Sequence, residues 1–121
     1  MTNARELANL VGGTLTNLTS GTNNVALGDE ALEATTSGER NIGIGKDAAT
    51  ANTTGSRNVA IGHQSLLANT VGSRSVAIGH NSLSAQNPAS ATDMFNTAVG
   101  HEAGAAITTG VSNTAIGALA L

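Results

Sequence analysis

The chain has 121 residues, a formal net charge of −3, fifteen glycines, a single aromatic residue (Phe95) and no Cys, Trp or Tyr. These figures exclude a disulfide framework, a thiolate metal site and a Cys nucleophile, offer no basic surface for nucleic acid or anionic lipid, and leave no aromatic bulk for an ordinary globular core. Apolar content of 40% argues against wholesale disorder.

Residues 1–14 read as a lead-in, partly helical or irregular: Ala4, Leu7, Ala8 and Leu10 fit a short helical turn. This stretch has neither the basic region nor the apolar run of a signal peptide. No apolar run in the chain approaches the ~18 residues of a membrane helix. The expectation is a chain that is neither exported by a signal peptide nor inserted in a membrane. Leu10-Val11-Gly12 resembles a degenerate opening repeat.

From residue 15 to residue 121 one phrase recurs. It reads Asn24-Val25-Ala26-Leu27-Gly28, Asn41-Ile42-Gly43-Ile44-Gly45, Asn58-Val59-Ala60-Ile61-Gly62, Ser75-Val76-Ala77-Ile78-Gly79, Asn96-Thr97-Ala98-Val99-Gly100 and Asn113-Thr114-Ala115-Ile116-Gly117. The closing glycines are 17, 17, 17, 21 and 17 residues apart. Self-similarity at a fixed short period marks an array of one structural unit. We number the repeat columns from Gly21, Gly38, Gly55, Gly72, Asp93 and Gly110.

Columns five and seven are β-branched or Leu in every repeat, and column six between them is Ala or Gly. This alternation predicts a short strand with two unlike faces. Column eight is Gly in all six repeats, which predicts a corner. A second apolar segment follows, as in Ala31-Leu32, Ser65-Leu66 and Ser82-Leu83, and predicts a second short strand or turn before a Thr/Asn-rich corner. Seventeen residues are too few for a strand–helix–strand crossover but enough for one coil of a solenoid. The predicted fold is therefore all-β: a parallel β-solenoid, or β-roll, of about six coils stacked at ~4.8 Å. The branched Val and Ile columns are expected to fill a thin coil interior. The Asn/Ala/Gly face is then expected to meet identical chains, giving a homotrimer in which a marginal single coil stack is stabilised. The last repeat stops at Leu121 within its second segment, so a longer parent chain or a capping partner is expected.

The phrases Asn58-Val59-Ala60-Ile61-Gly62 and Ser75-Val76-Ala77-Ile78-Gly79 resemble the head repeats of trimeric autotransporter adhesins. That resemblance implies a left-handed parallel β-roll assembled as a trimer. The whole cadence of Gly55-Ser-Arg-Asn-Val-Ala-Ile-Gly-His-Gln-Ser-Leu-Leu-Ala-Asn-Thr-Val-Gly72 is similar to the 17-residue repeats of bacteriophage tail-fibre proteins. The likeness covers about residues 15–121 and implies a structural, host-attachment role: a segment of a trimeric viral tail fibre that extends and presents receptor-contacting surface. Its implied partners are copies of itself, other virion tail proteins and a host cell-surface glycan or protein, without nucleic acid or membrane insertion. Its implied location is the virion tail, after synthesis in the host cytoplasm. A bacterial adhesin head is the alternative within that class, although the chain shows no signal peptide or anchor. An ice-binding solenoid is the alternative of another class, suggested by Thr35-Thr36, Thr53-Thr54 and Thr108-Thr109.

No enzyme activity, cofactor or metal is expected. Ser65 and Ser82 are repeat positions without a base and an orienting group beside them. Gly43-Ile44-Gly45-Lys46 fails as a phosphate loop, because Arg40 and Asp47 stand where Gly and Ser or Thr are required. Asn17-Leu18-Thr19 and Asn52-Thr53-Thr54 match the glycosylation pattern without meaning in a bacterial or phage product. The candidate receptor contacts fall in three groups. His63, His80 and His101 share column nine, and stacking is expected to make them a ladder continued by Lys46 and Asp29. Arg40, Arg57 and Arg74 share column three. The irregular repeat between Gly79 and Gly100 holds four extra residues within Ser84–Thr92, including Pro88, followed by Met94 and Phe95. A loop insertion at 84–92 is where function is expected to concentrate. The plain alternatives are an exposed corner for the His column, a solvated ladder with nearby carboxylates such as Glu39 and Asp47 for the Arg column, and a plug in a widened coil or in the trimer seam for Met94 and Phe95.

Overall fold

The computed structural model of the protein describes residues 21–121, so the expected lead-in over 1–14 and the repeat around Leu10 lie outside the described residues. The strands are β1 (Val25–Leu27), β2 (Ile42–Ile44), β3 (Val59–Ile61), β4 (Gly72–Ser73), β5 (Val76–Ile78), β6 (Thr92–Asp93), β7 (Thr97–Val99) and β8 (Thr114–Ile116). Six of them form one sheet in the order β1-β2-β3-β5-β7-β8, and β4 pairs with β6 in a separate two-stranded ribbon. Every pairing is parallel, and the repeat columns are in register: Val25 faces Ile42, which faces Val59, then Val76, Thr97 and Thr114. Each strand is thus its predecessor one turn further on. The chain winds a parallel β-solenoid of about five turns.

The second apolar segment is a turn, not a strand. Its backbone closes on itself through Ala31 N to Gly28 O at 3.3 Å and Thr35 N to Leu32 O at 3.1 Å, and bonds to the next coil through Leu32 N to Ala48 O at 3.0 Å. Tight winding is reached by left-handed residues at fixed columns: Arg40, Arg57 and Arg74 in column three, Asp47, Gln64 and Asn81 in column ten, Leu32, Leu66 and Leu83 in column twelve. At column eight φ lies between 115° and 136°, outside the range that side chains accept in a left-handed turn, and only Gly occurs. Space enforces the same choice, since a Cβ on Gly62 would meet the carbonyl carbon and oxygen of Gly79 at 2.8 Å.

The two strand faces are inverted relative to the sequence expectation. Column six is the buried face: Ala26, Gly43, Ala60, Ala77, Ala98 and Ala115 are all inside. No residue of columns five and seven is buried; Val25 is 47% exposed, Ile78 36% and Ile116 62%. The cause is reach. Leu32, Leu66 and Leu83 extend from the turn across the coil and are fully buried over column six. A Cβ on Gly43 would already meet Leu32 Cγ at 2.9 Å, so a Val or Ile there would not fit. The fifth coil shows the same volume limit in reverse. Gly104 replaces the column-twelve Leu, and Ile107 fills the space, with its Cδ1 3.2 Å from the Cβ position of Gly104.

The rest of the interior is polar. Column four forms a ladder of carboxamides, each bonded twice to the following coil. Asn41 Oδ1 accepts from Asn58 N at 2.9 Å, and Asn41 Nδ2 donates to Gly55 O at 2.8 Å. Asn58 repeats this with Ser75 N at 3.0 Å and Gly72 O at 2.8 Å. A second ladder runs through column fifteen: Asn69 Nδ2 donates to Gly72 O at 2.9 Å, and Gln86 Nε2 donates to Asn69 Oδ1 at 3.0 Å. Ser75 is too short to continue the column-four ladder. Gln86 Oε1 takes over by accepting from Ser75 Oγ at 3.2 Å and Asn96 Nδ2 at 2.8 Å. Buried amides are tolerated because each finds partners.

Gln86 and Asn87 keep register with Asn69 and Thr70, so the insertion begins later than Ser84. Thr92 pairs 20 positions after Gly72, whereas Thr97 pairs 21 after Val76. Three of the extra residues therefore lie between Asn87 and Thr92. The fourth is a bulge at Met94, which both donates to Ser73 O at 2.9 Å and accepts from Ser112 N at 2.8 Å.

Two outcomes follow for stability. Asn58→Ala leaves the buried Ser75 amide without a partner and the Gly72 carbonyl with the Asn69 Nδ2 donor alone, and a cost of about 2 kcal/mol in urea unfolding is expected. Gly62→Ala combines a strained φ with a backbone clash, whereas nothing stands within 4 Å of the Cβ position on Gly117. Gly62→Ala should cost more than Gly117→Ala, for which strain alone predicts about 1–3 kcal/mol; equal melting shifts would contradict the packing argument.

Candidate functional site

The column-nine corner follows the invariant glycine and is built from backbone. Each column-nine carbonyl accepts the column-ten N–H of the next coil: His63 O from Asn81 N at 3.0 Å, His80 O from Glu102 N and His101 O from Leu119 N, both at 2.8 Å. Main-chain bonding fixes the corner and leaves the side chains in solvent. The imidazoles stack as the column spacing requires, with ring centroids 5.2 Å apart for His63 and His80 and 5.0 Å for His80 and His101. Lys46 continues the column, donating from Nζ to Asp29 Oδ2 at 3.2 Å. That hydrogen bond, followed by the Asp47 charge, holds the Lys46 ammonium above its ordinary pKa. Asp47, then Glu33, push the Glu30 carboxyl upward. All these groups face water, where such pairs add little stability.

No metal is expected from the sequence, but the fold places a carboxylate beside the histidines. His101 Nε2 lies 3.4 Å from Glu102 Oε1. His80, His101 and Glu102 can offer one ligand atom each, all within 4.8 Å of one another. The signal was the dipeptide His101-Glu102 combined with column stacking, which together bring residues 21 positions apart into contact.

The arginine column is an exposed corner with unequal pairing. Arg40 Nη1 bonds Glu39 Oε2 at 2.9 Å, and Arg74 Nε meets Asp93 Oδ1 at 3.0 Å. Arg57 has no ion pair among the described residues. Phe95 occupies the same column with a left-handed φ of 52° and is 54% exposed. The Arg74 guanidinium lies over its ring at 5.9 Å.

Met94 and Pro88 are corrected as contact candidates. Met94 is 0% exposed and Pro88 is buried; the Cβ position of Gly72 lies 3.1 Å from Met94 Cγ and 3.2 Å from Pro88 Cδ. They fill the coil that the insertion widens, so neither offers surface to a partner. The serines are structural too. Ser65 Oγ donates to Gly62 O and Ser82 Oγ to Gly79 O, both at 2.9 Å. Gly45 N, which a phosphate loop would leave free, donates to Leu27 O at 2.8 Å. Asn52 is fully buried. Comparison of the chain with family models, with curated proteins and with solved structures gives no match.

The burial difference separates two neighbours. Met94→Ala should cost about 2–4 kcal/mol. Phe95→Ala removes one exposed cation–π contact and should cost about 1 kcal/mol or less. Thermal melts of the two variants check this, and a Phe95→Ala loss as large as that of Met94→Ala would contradict the placement.

Proposed function

We propose that this chain is a structural host-attachment module, a segment of a trimeric viral tail fibre whose coils set distance and whose corners meet a host surface. The observation that carries the reading is the outward apolar sheet face. Columns five and seven place Val, Ile, Leu and Thr on the solvent side of all six strands of the main sheet. A continuous apolar face on a folded chain marks an interaction surface. Its side chains repeat at the coil step, so a partner with the same step matches it, and an identical chain has that step. The homotrimer therefore uses the Val/Ile face; the Asn/Ala/Gly face, to which the sequence reading assigned it, is the coil interior. The exposed His and Arg corners and Phe95 are then the surfaces offered to a host glycan or protein. The role is mechanical, without catalysis.

An adhesin head would use the same assembly. The ice-binding alternative draws less support, because column-sixteen hydroxyls are engaged: Thr53 Oγ1 donates to Thr70 O at 3.2 Å and Thr70 Oγ1 to Asn87 Oδ1 at 2.9 Å.

Sedimentation equilibrium tests the assembly. Three chains per particle are expected, with Ile61→Glu dissociating the particle while the strand signal in circular dichroism persists, since Ile61 is half-exposed and lies outside the buried core cluster. A wild-type chain that stays monomeric and folded at high micromolar concentration would overturn the reading.

A further inference from the structure

We propose that the corner formed by His80, His101 and Glu102 binds one divalent transition ion of the zinc class, through two imidazole nitrogens and one carboxylate oxygen from adjacent coils. The proposal stands on the geometry of this corner and does not depend on the fibre reading.

Three potential donor atoms already lie within 4.8 Å of one another. Donors about 2.0–2.1 Å from a tetrahedral zinc ion sit roughly 3.4 Å apart, so the group must close by little more than an ångström. Side chains can supply that movement. The rings are now parallel to within 7°, and parallel rings direct their in-plane lone pairs side by side rather than at one point. Turning one imidazole about its side-chain torsions makes the lone pairs converge. Solvent leaves that freedom, since the His101 and Glu102 side chains are 55% and 40% exposed.

The backbone is already in place. Glu102 N donates to His80 O at 2.8 Å, linking two ligand-bearing residues across the coils. The preceding glycines pack so closely that a Cβ on Gly79 would fall 2.4 Å from Gly100 O. Only side-chain rotamers have to be ordered when the ion binds.

Charge selects this end of the ladder. Glu102 brings a negative charge to the His80–His101 pair, whereas the column below His63 continues with Lys46, whose ammonium offers no ligand and is paired with Asp29 and Asp47. A cation is therefore favoured at His101, and His63 has no carboxylate grouped with it at ligand distance among the described residues. Two imidazoles and one carboxylate suit zinc, copper, nickel and cobalt, and not calcium or magnesium, which take oxygen ligands. Three protein ligands leave a coordination position for water or for a donor from a bound partner.

Isothermal titration of the untagged chain with zinc chloride tests the proposal. One ion per chain is expected, with affinity falling at least about tenfold in His80→Ala and in His101→Ala, several-fold in Glu102→Gln, and less than twofold in His63→Ala. Millimolar calcium or magnesium should not displace it. Circular dichroism melts of the variants should match wild type in the absence of metal, because the side chains are exposed. Absence of saturable zinc binding overturns the proposal, as does unchanged affinity in His80→Ala or His101→Ala. Equal losses in His63→Ala and His101→Ala would also overturn it, by showing undirected binding along the ladder.

Discussion

Successive coils must stack with their backbones about 4.8 Å apart, and that single spacing governs what each column can hold. A carboxamide fits it, because one Asn can accept from the strand of the next coil and donate to the corner before it, as Asn41 and Asn58 do. A glycine corner fits it, because the carbonyl of the next corner occupies the space a Cβ would take. Stacked imidazoles and a Lys–Asp pair fit it on the outside. The solenoid holds together through hydrogen bonds directed along its axis and a narrow apolar seam of Ala and Leu, in place of a thick hydrophobic core.

The same limit inverts the usual arrangement of apolar side chains. The interior accepts Ala and Gly from the strand because Leu from the turn already fills the coil, so the bulky branched residues are turned outward. A chain that buries its amides and turns its Val and Ile outward puts apolar side chains where another molecule can use them. The proposed trimer and the inward amide ladders are thus two results of one volume restriction. The irregular fourth and fifth coils obey it as well, with Gly104 and Ile107 exchanging bulk and with Pro88 and Met94 filling the widening.

Period, strand position, parallel register and the glycine corner were all legible in the sequence, because they depend on spacing that repeats six times. The histidine ladder was legible for the same reason. The choice of which face lies inside was not. Alternation along Asn58-Val59-Ala60-Ile61 defines two faces, and the general rule that branched apolar residues are buried selects the wrong one. Two clues pointed the other way: Asn recurs on the same face as Ala, as a ladder of bridging amides requires, and the turn supplies its own Leu. The insertion was legible in size but not in place, since the ladder contacts of Gln86 and Asn87 fix register only once their neighbours are known. At the metal-ligand corner, His101 and Glu102 adjoin in sequence, and His80 joins them only through the enlarged coil.

The account rests on carboxamides buried between coils of one chain. Proton exchange of the Asn41, Asn58 and Asn96 side-chain amides, followed by nuclear magnetic resonance from dilute to concentrated samples, tests this most directly. Protection comparable to that of the strand amides, unchanged across the dilution series, is the predicted result. Exchange at the rate of a free carboxamide, or protection that disappears on dilution while the strands persist, would place those amides on an outer face and contradict the account.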